Sequence, residues 1–265
     1  MPSFKSDGVE LAYDDIAPPG HRDTVLLIHG FASNRYEGWR RTGWYSAFER
    51  RGSRVIALDM RGHGESGKPH DAQAYGRARL AADVIGLIDH LGVQGCTLLG
   101  YSMGAHVALN VALEAPDRLG KLICGGIGGR LLEPESPSPL AEALPAAMLA
   151  EDPETIEDPM ARSFRHFADE QGEDLKALAA FLAARAAPFE AADLAGVRSP
   201  ALVFAGARDE LAGDPQALAS ALFDARAVVV PGCDHFSAIP HALTKGAVFD
   251  FQDGLLDEPE PDAWR

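Results

Sequence analysis

Cys96-Thr97-Leu98-Leu99-Gly100-Tyr101-Ser102-Met103-Gly104-Ala105-His106-Val107-Ala108-Leu109 passes from an apolar, strand-like run straight into helical sequence. A strand that turns at once into a helix forces the residue at the turn, Ser102, into a strained backbone conformation. Gly100 and Gly104 then remove side chains that would collide there. The turn lifts the serine hydroxyl out of the sheet edge. It also sets the hydroxyl beside a helix N-terminus, whose unpaired amides face any negative charge that develops on a substrate. The bland reading is a glycine-rich turn with an idle hydroxyl, and it asks nothing of the rest of the chain. The catalytic reading asks for partners.

A serine hydroxyl is a weak nucleophile until a base takes its proton, so a histidine and an orienting carboxylate are required. His235 follows the last apolar run, in Val228-Val229-Val230-Pro231-Gly232-Cys233-Asp234-His235-Phe236, on a loop expected at the same sheet edge as Ser102. His241 is the rival, but Pro240 beside it reads as the first turn of a helix. His21, His70, His90 and His166 have nothing convergent around them, and His106 lies four residues into the helix after Ser102. His29 and His63, each flanked by glycine at a strand end, are expected to line the pocket if they reach it, and so is Tyr101. For the acid, Asp209 in Ala205-Gly206-Ala207-Arg208-Asp209-Glu210 again follows a strand. Glu210 is held in reserve, and Asp234 is too close in sequence to reach around the imidazole. An oxyanion also needs donors, and this geometry supplies two backbone amides: Met103, after the nucleophile, and Phe31, in His29-Gly30-Phe31-Ala32-Ser33-Asn34.

Outward from the turn, short apolar runs alternate with helical segments, the pattern of a mostly parallel sheet with helices on both faces. The strand candidates are Thr24 to His29, Arg54 to Asp59, Cys96 to Tyr101, Lys121 to Gly125, Ala201 to Ala205 and Ala227 to Val230. Their consecutive apolar residues suit strands covered on both sides. Helices are expected near Trp39 to Arg50, Tyr75 to Leu91, Met103 to Glu114, Asp214 to Leu222 and Pro240 to Phe251. Phe4 to Tyr13, around Asp7-Gly8, reads as a hairpin. The rhythm breaks after Gly129. Residues 131 to 190 carry no strand candidate and are too long for a plain loop, so they read as a small helical cap inserted into a core made of residues 1–130 and 191–265. Its apolar residues, Leu140, Leu144, Met148, Leu149, Phe164, Phe167, Leu178, Phe181 and Leu182, either roof a pocket or form the insertion's own core. Periodicity does not separate the two. The acidic, proline-rich tail from Asp257 onward is expected to be solvated.

Composition excludes whole classes of function. The 265 residues include 46% hydrophobic and 24% charged residues, an ordinary globular mix, and carry a formal net charge of −15. A surface that negative repels phosphate backbones and anionic lipid, so neither nucleic acid nor a membrane is expected as a partner. Three cysteines imply no disulfide framework, and with no apolar leader the expected location is cytoplasmic. Asp59-Met60-Arg61-Gly62-His63-Gly64-Glu65-Ser66-Gly67-Lys68 contains phosphate-loop patterns. However, Pro69 stands where such a loop needs Ser or Thr, and no helix follows to hold phosphates. Cys233 and His235 have ligand spacing but no second pair, so no metal is expected. Nothing in the sequence fixes an oligomeric state.

Taken together, His29-Gly30-Phe31, Asp59 to Ser66, Gly100-Tyr101-Ser102-Met103-Gly104, Gly206-Ala207-Arg208-Asp209 and Asp234-His235-Phe236 resemble the α/β-hydrolase fold family, in that family's chain order of Ser, acid, His. The resemblance covers nearly all of residues 4 to 255 and weakens in the insertion, which looks like the family's variable lid. It implies a Ser102, His235, Asp209 hydrolase needing no cofactor and acting on a small-molecule ester. Lactones or carbon–carbon bonds are the alternative substrates for the same triad. It also sets the chain apart from epoxide-hydrolase and dehalogenase relatives, where an aspartate stands at the Ser102 position. One departure is Gly104-Ala105, where many relatives have two glycines. The same fold also serves non-catalytic receptors and interaction modules, but those are expected to lack a triad residue.

Overall fold

The computed structural model describes residues 1–133, 139–184 and 188–257. Its eight strands are β1 (Ser3–Ser6), β2 (Val9–Ile16), β3 (Thr24–Ile28), β4 (Arg54–Leu58), β5 (Cys96–Tyr101), β6 (Leu119–Gly125), β7 (Ala201–Gly206) and β8 (Ala225–Val230). They form one sheet in the order β1-β2-β4-β3-β5-β6-β7-β8. The β1–β2 and β2–β4 pairings are antiparallel and all others parallel. Asp7 and Gly8, with φ of 45° and 79°, close the β1–β2 hairpin. Positive φ at both turn residues matches the right-handed twist of the strands they join.

The helices are α1 (Trp44–Arg50), α2 (Arg77–His90), α3 (Met103–Glu114), α4 (Pro139–Leu149), α5 (Pro159–Gln171), α6 (Leu175–Ala183), α7 (Ala191–Ala195), α8 (Pro215–Ala221) and α9 (Ala242–Asp253). They explain why the strand sequences are continuously apolar rather than alternating. In β3, Leu26 and Ile28 pack with α2, α3 and α8 on one face, while Val25 and Leu27 pack with α1 and α9 on the other. In the central strands β3 to β7 each face buries its half of the strand, so both halves are largely apolar, whereas β1, β2 and β8 at the sheet edges stay partly exposed.

One expected helix, Trp39 to Arg50, is two pieces. A π-helical turn, Tyr36–Arg40, precedes α1, and Gly43 at φ 81° separates them. A left-handed residue ends a right-handed helix, and periodicity does not register that break.

Among the described residues, 131–195 hold no strand. Helices α4, α5 and α6 share an apolar cluster built on Leu144, Met148, Phe164 and Leu178, which also takes in Ala32 of the loop after β3. Leu149 is exposed, whereas Phe181 joins the main core beside α2 and α3. The proline-rich stretch 134–138 and the tail from 258 lie outside the described residues. No helix among the described residues is long and apolar enough to cross a membrane.

Candidate active site

The turn after β5 has the strained form its sequence requires. Ser102 sits at φ 53°, ψ −115°, caps α3, and donates its amide to Gly125 O at 2.8 Å. A Cβ on Gly100 would overlap the Gly104 carbonyl, and one on Gly104 would overlap the Ile28 carbonyl, so both neighbours of the turn are closed to side chains. The backbone of β5 thus runs hard against α3 and β3, and the hydroxyl is left pointing out of the sheet end.

The loops after β7 and β8 are stitched to each other before either reaches Ser102. Ala207 N donates to Val230 O at 2.9 Å and Arg208 N to Cys233 O at 2.8 Å, while a Cβ on Gly206 would overlap Cys233 O. That close approach puts Asp209 beside His235. His235 Nδ1 lies 2.8 and 3.0 Å from the two Asp209 carboxylate oxygens, and His235 Nε2 lies 3.0 Å from Ser102 Oγ. With Nδ1–H donating to the carboxylate, Nε2 is left as the acceptor for the serine proton. Asp209 is 5% exposed and His235 7%. The Asp209 carboxylate is fixed independently by the amides of Leu211 at 3.1 Å and Ala212 at 2.9 Å. The arrangement can therefore take a proton from a hydroxyl and hold the resulting imidazolium against a buried carboxylate.

The amides of Phe31 and Met103 have no acceptor among the described residues, so both are open to an oxyanion. Ala32 beside Phe31 has φ 56°, a second strained residue in the turn that presents the first amide. The Phe31 ring is wedged between Phe164 and Phe181, with centroids 6.0 and 5.7 Å away.

A cavity of ≈ 280 Å³ opens onto Ser102 and His235. Its walls include Phe31, Phe164, Phe167, Phe236 and Ile239, with Ser33, Glu37, Arg41 and Thr42 at the polar side. The insertion's apolar residues thus divide. Phe164 and Phe167 roof the cavity, while Leu144, Met148 and Leu178 build the helices' shared core.

Tyr101 lines the cavity, and its hydroxyl donates to His235 O at 2.6 Å and anchors the loop that carries the imidazole. Burial pushes its phenol well above the ordinary range, so it stays a donor. His29 does not line the cavity. It is fully buried, with Nδ1 2.8 Å from Gly30 O and Nε2 accepting from Met60 N at 3.1 Å, so it acts as a strut between the loops after β3 and β4. Its sequence position at a strand end was right, but its ring turns inward to the backbone. His63 is equally buried, stacked edge-on against Phe31. His241 caps α9, accepting from Leu243 N. Asp234 accepts from the amides of Phe236 and Ser237 and forms a turn, and Glu210 is exposed.

The glycine-rich stretch after β4 wraps an internal anion instead of a phosphate. The buried Asp59 carboxylate accepts from Arg35 N at 2.7 Å and Glu65 N at 2.8 Å and pairs with the Arg35 guanidinium, while a Cβ on Gly64 would overlap it. Arg61 is committed to Asp83 through two bonds of 2.6 Å. Sequence reading missed Glu173, which follows α5. It accepts from Gly64 N at 2.9 and 3.1 Å and from Asn34 Nδ2 at 3.2 Å, tying the segment between α5 and α6 to the loops after β3 and β4. An acid 139 positions from its partner carries no local signal.

A strained serine turn at the C-terminal edge of a mostly parallel sheet, with an acid and a histidine on the loops after β7 and β8, defines a class of protein. The chain belongs to the α/β-hydrolase family, whose pattern matches residues 23–154. It is 30% identical to a protein of Variovorax paradoxus named as a carbamate hydrolase, over 89% of this chain and 92% of that one. An epoxide hydrolase of Caballeronia sordidicola is 41% identical over 103 residues, which is 39% of this chain and 30% of the relative, so the match spans under a third of that relative's length. Among solved structures, a hydrolase from Pseudomonas aeruginosa PA01 superposes with a TM-score of 0.77 at 27% identity, covering 95% of this chain and 97% of that one. The enol-lactonase from Burkholderia xenovorans LB400 shares the fold, with a TM-score of 0.74 at 22% identity over 97% and 100% of the two chains.

Proposed function

We propose that this hydrolase cleaves a carboxylic ester of a small, largely apolar substrate through an acyl-enzyme on Ser102. The observation that carries the reading is the unbroken relay from the Asp209 carboxylate through His235 to a hydroxyl facing an aromatic-walled cavity. Ser102 Oγ attacks the ester carbonyl as His235 Nε2 takes its proton, and the Phe31 and Met103 amides hold the oxyanion. His235 then protonates the departing alcohol, and water activated by the same nitrogen releases the acid. Helices α4 to α6 act as the cap, with Phe164 and Phe167 of α5 covering part of the cavity. At ≈ 280 Å³ the cavity sits at the lower limit for small-molecule sites, which favours a short substrate.

Chemistry argues against transferring the epoxide reaction from the Caballeronia relative. A serine oxygen that opened an epoxide would leave an ether, which offers water no acyl carbon to attack. A lactone is an internal ester and remains within reach of the same steps. Ser102→Ala tests the reading with a short p-nitrophenyl ester. Hydrolysis should fall by several orders of magnitude with the fold intact, and a fluorophosphonate should label the parent protein at Ser102. Retained turnover, or no adduct, removes the serine from the chemistry.

A further inference from the structure

The cavity wall holds two charged side chains, Glu37 and Arg41, and they pair with each other one helical turn apart. The pair is lopsided. The Glu37 side chain is 14% exposed and that of Arg41 63%, so the guanidinium is the more open of the two charges. Glu37 engages only Nε of Arg41. The two Nη groups have no partner among the described residues, leaving the open edge of a planar donor fork shaped for a carboxylate. Ser33 adds an independent sign. It lines the same cavity at 8% exposure, and its hydroxyl has no hydrogen-bond partner among the described residues. The hydroxyl oxygen is reachable from the cavity, so a ligand there finds it free to donate or accept.

We infer that Ser33 and Arg41 form a subsite for a carboxylate carried by the substrate at the end remote from the scissile ester, so that the substrate class is the half-ester of a dicarboxylic acid or its internal equivalent. This rests on the ester reading above. The body of the substrate lies along Phe164, Phe167 and Phe236, its ester at Ser102 and its free acid at Arg41. Glu37 orients the guanidinium and sets the local charge near zero. The protein's overall charge of −15 disfavours anions at long range, so recognition of one depends on this contact.

The test compares three 4-nitrophenyl esters of equal length: the mono-ester of adipic acid, its terminal carboxamide, and the 6-aminohexanoate. The readout is the ratio of kcat/KM for carboxylate over carboxamide. Arg41→Gln removes the cation and should lower that ratio by about fivefold at low salt, the upper range for an exposed charge contact. Glu37→Gln leaves the cation uncompensated and should raise the ratio. Both effects should shrink at high salt. Ratios that move in neither variant overturn the subsite, as does a preference for the aminohexanoate that disappears in Glu37→Gln. Failure of the ester reading shows separately, as carboxamide hydrolysis that survives in Ser102→Ala, and it removes this inference as well.

Discussion

Replacing Ser102 by glycine should make the protein more stable than replacing it by alanine. Ser102 lies at φ 53°, ψ −115°, the mirror image of an ordinary turn conformation, where glycine is the usual occupant. Holding a side chain there costs about 1–3 kcal/mol. Alanine retains the Cβ and all of that strain, while glycine removes it. Both variants lack the hydroxyl, so the lost bond to His235 cancels in the comparison. Against the gain stands glycine's extra freedom in the unfolded chain, about 0.5–1 kcal/mol. The balance favours glycine by about 1 kcal/mol, which for a chain of this size is a midpoint about 2–4 °C higher by calorimetry. Urea unfolding of the same pair gives an independent measure. If Ser102→Gly melts at or below Ser102→Ala, the turn stores no strain and the physical account of the serine's exposure fails.

Asp209→Asn keeps the shape of the acid but lets the imidazole adopt the wrong tautomer. It should lower kcat by about 10⁴-fold with little change in KM, read from steady-state ester hydrolysis. Gly104→Ala drives a methyl group into the rigid Ile28 carbonyl and should destabilise the fold by about 3 kcal/mol, seen as a lowered denaturation midpoint. Glu173→Gln replaces an acceptor facing two donors with a group that presents one acceptor and one donor. It should cost about 1–2 kcal/mol and raise KM, because the segment between α5 and α6 and the loop bearing Phe31 lose their shared tie. Burial lowers the His63 imidazole from 6.5 to about 3. The unfolded chain therefore binds the extra proton across that window, so this contribution is whole above pH 6.5 and is lost as pH falls toward 3. Relative to His63→Gln, the parent should lose about 2 kcal/mol between pH 7 and 5 in denaturant titrations.

The strands and the serine turn were legible because their causes are local. Six predicted strands lie within two residues of those observed, since burial on both faces of a sheet writes itself into consecutive residues. Gly100 and Gly104 stand where side chains cannot, and that exclusion operates over five positions of chain. The break at Gly43 was not legible, because a periodic pattern on either side of a left-handed residue looks the same as an unbroken helix. The strand-end histidines could be located but not aimed, and His29 and His63 turned into the backbone and the core while His235 turned outward.

By itself, then, the sequence determined the sheet, the strained serine and the short roster of groups able to work with it, because each depends on neighbours a few residues away. Tertiary structure alone decided which of those groups meet: Asp209 against His235, Glu173 between Asn34 and Gly64, and Ser33, Glu37 and Arg41 around the same cavity as Phe164 and Phe167. Such contacts join residues tens to more than a hundred positions apart. Their geometry follows from the order in which strands lie side by side, and no local stretch of chain encodes that order.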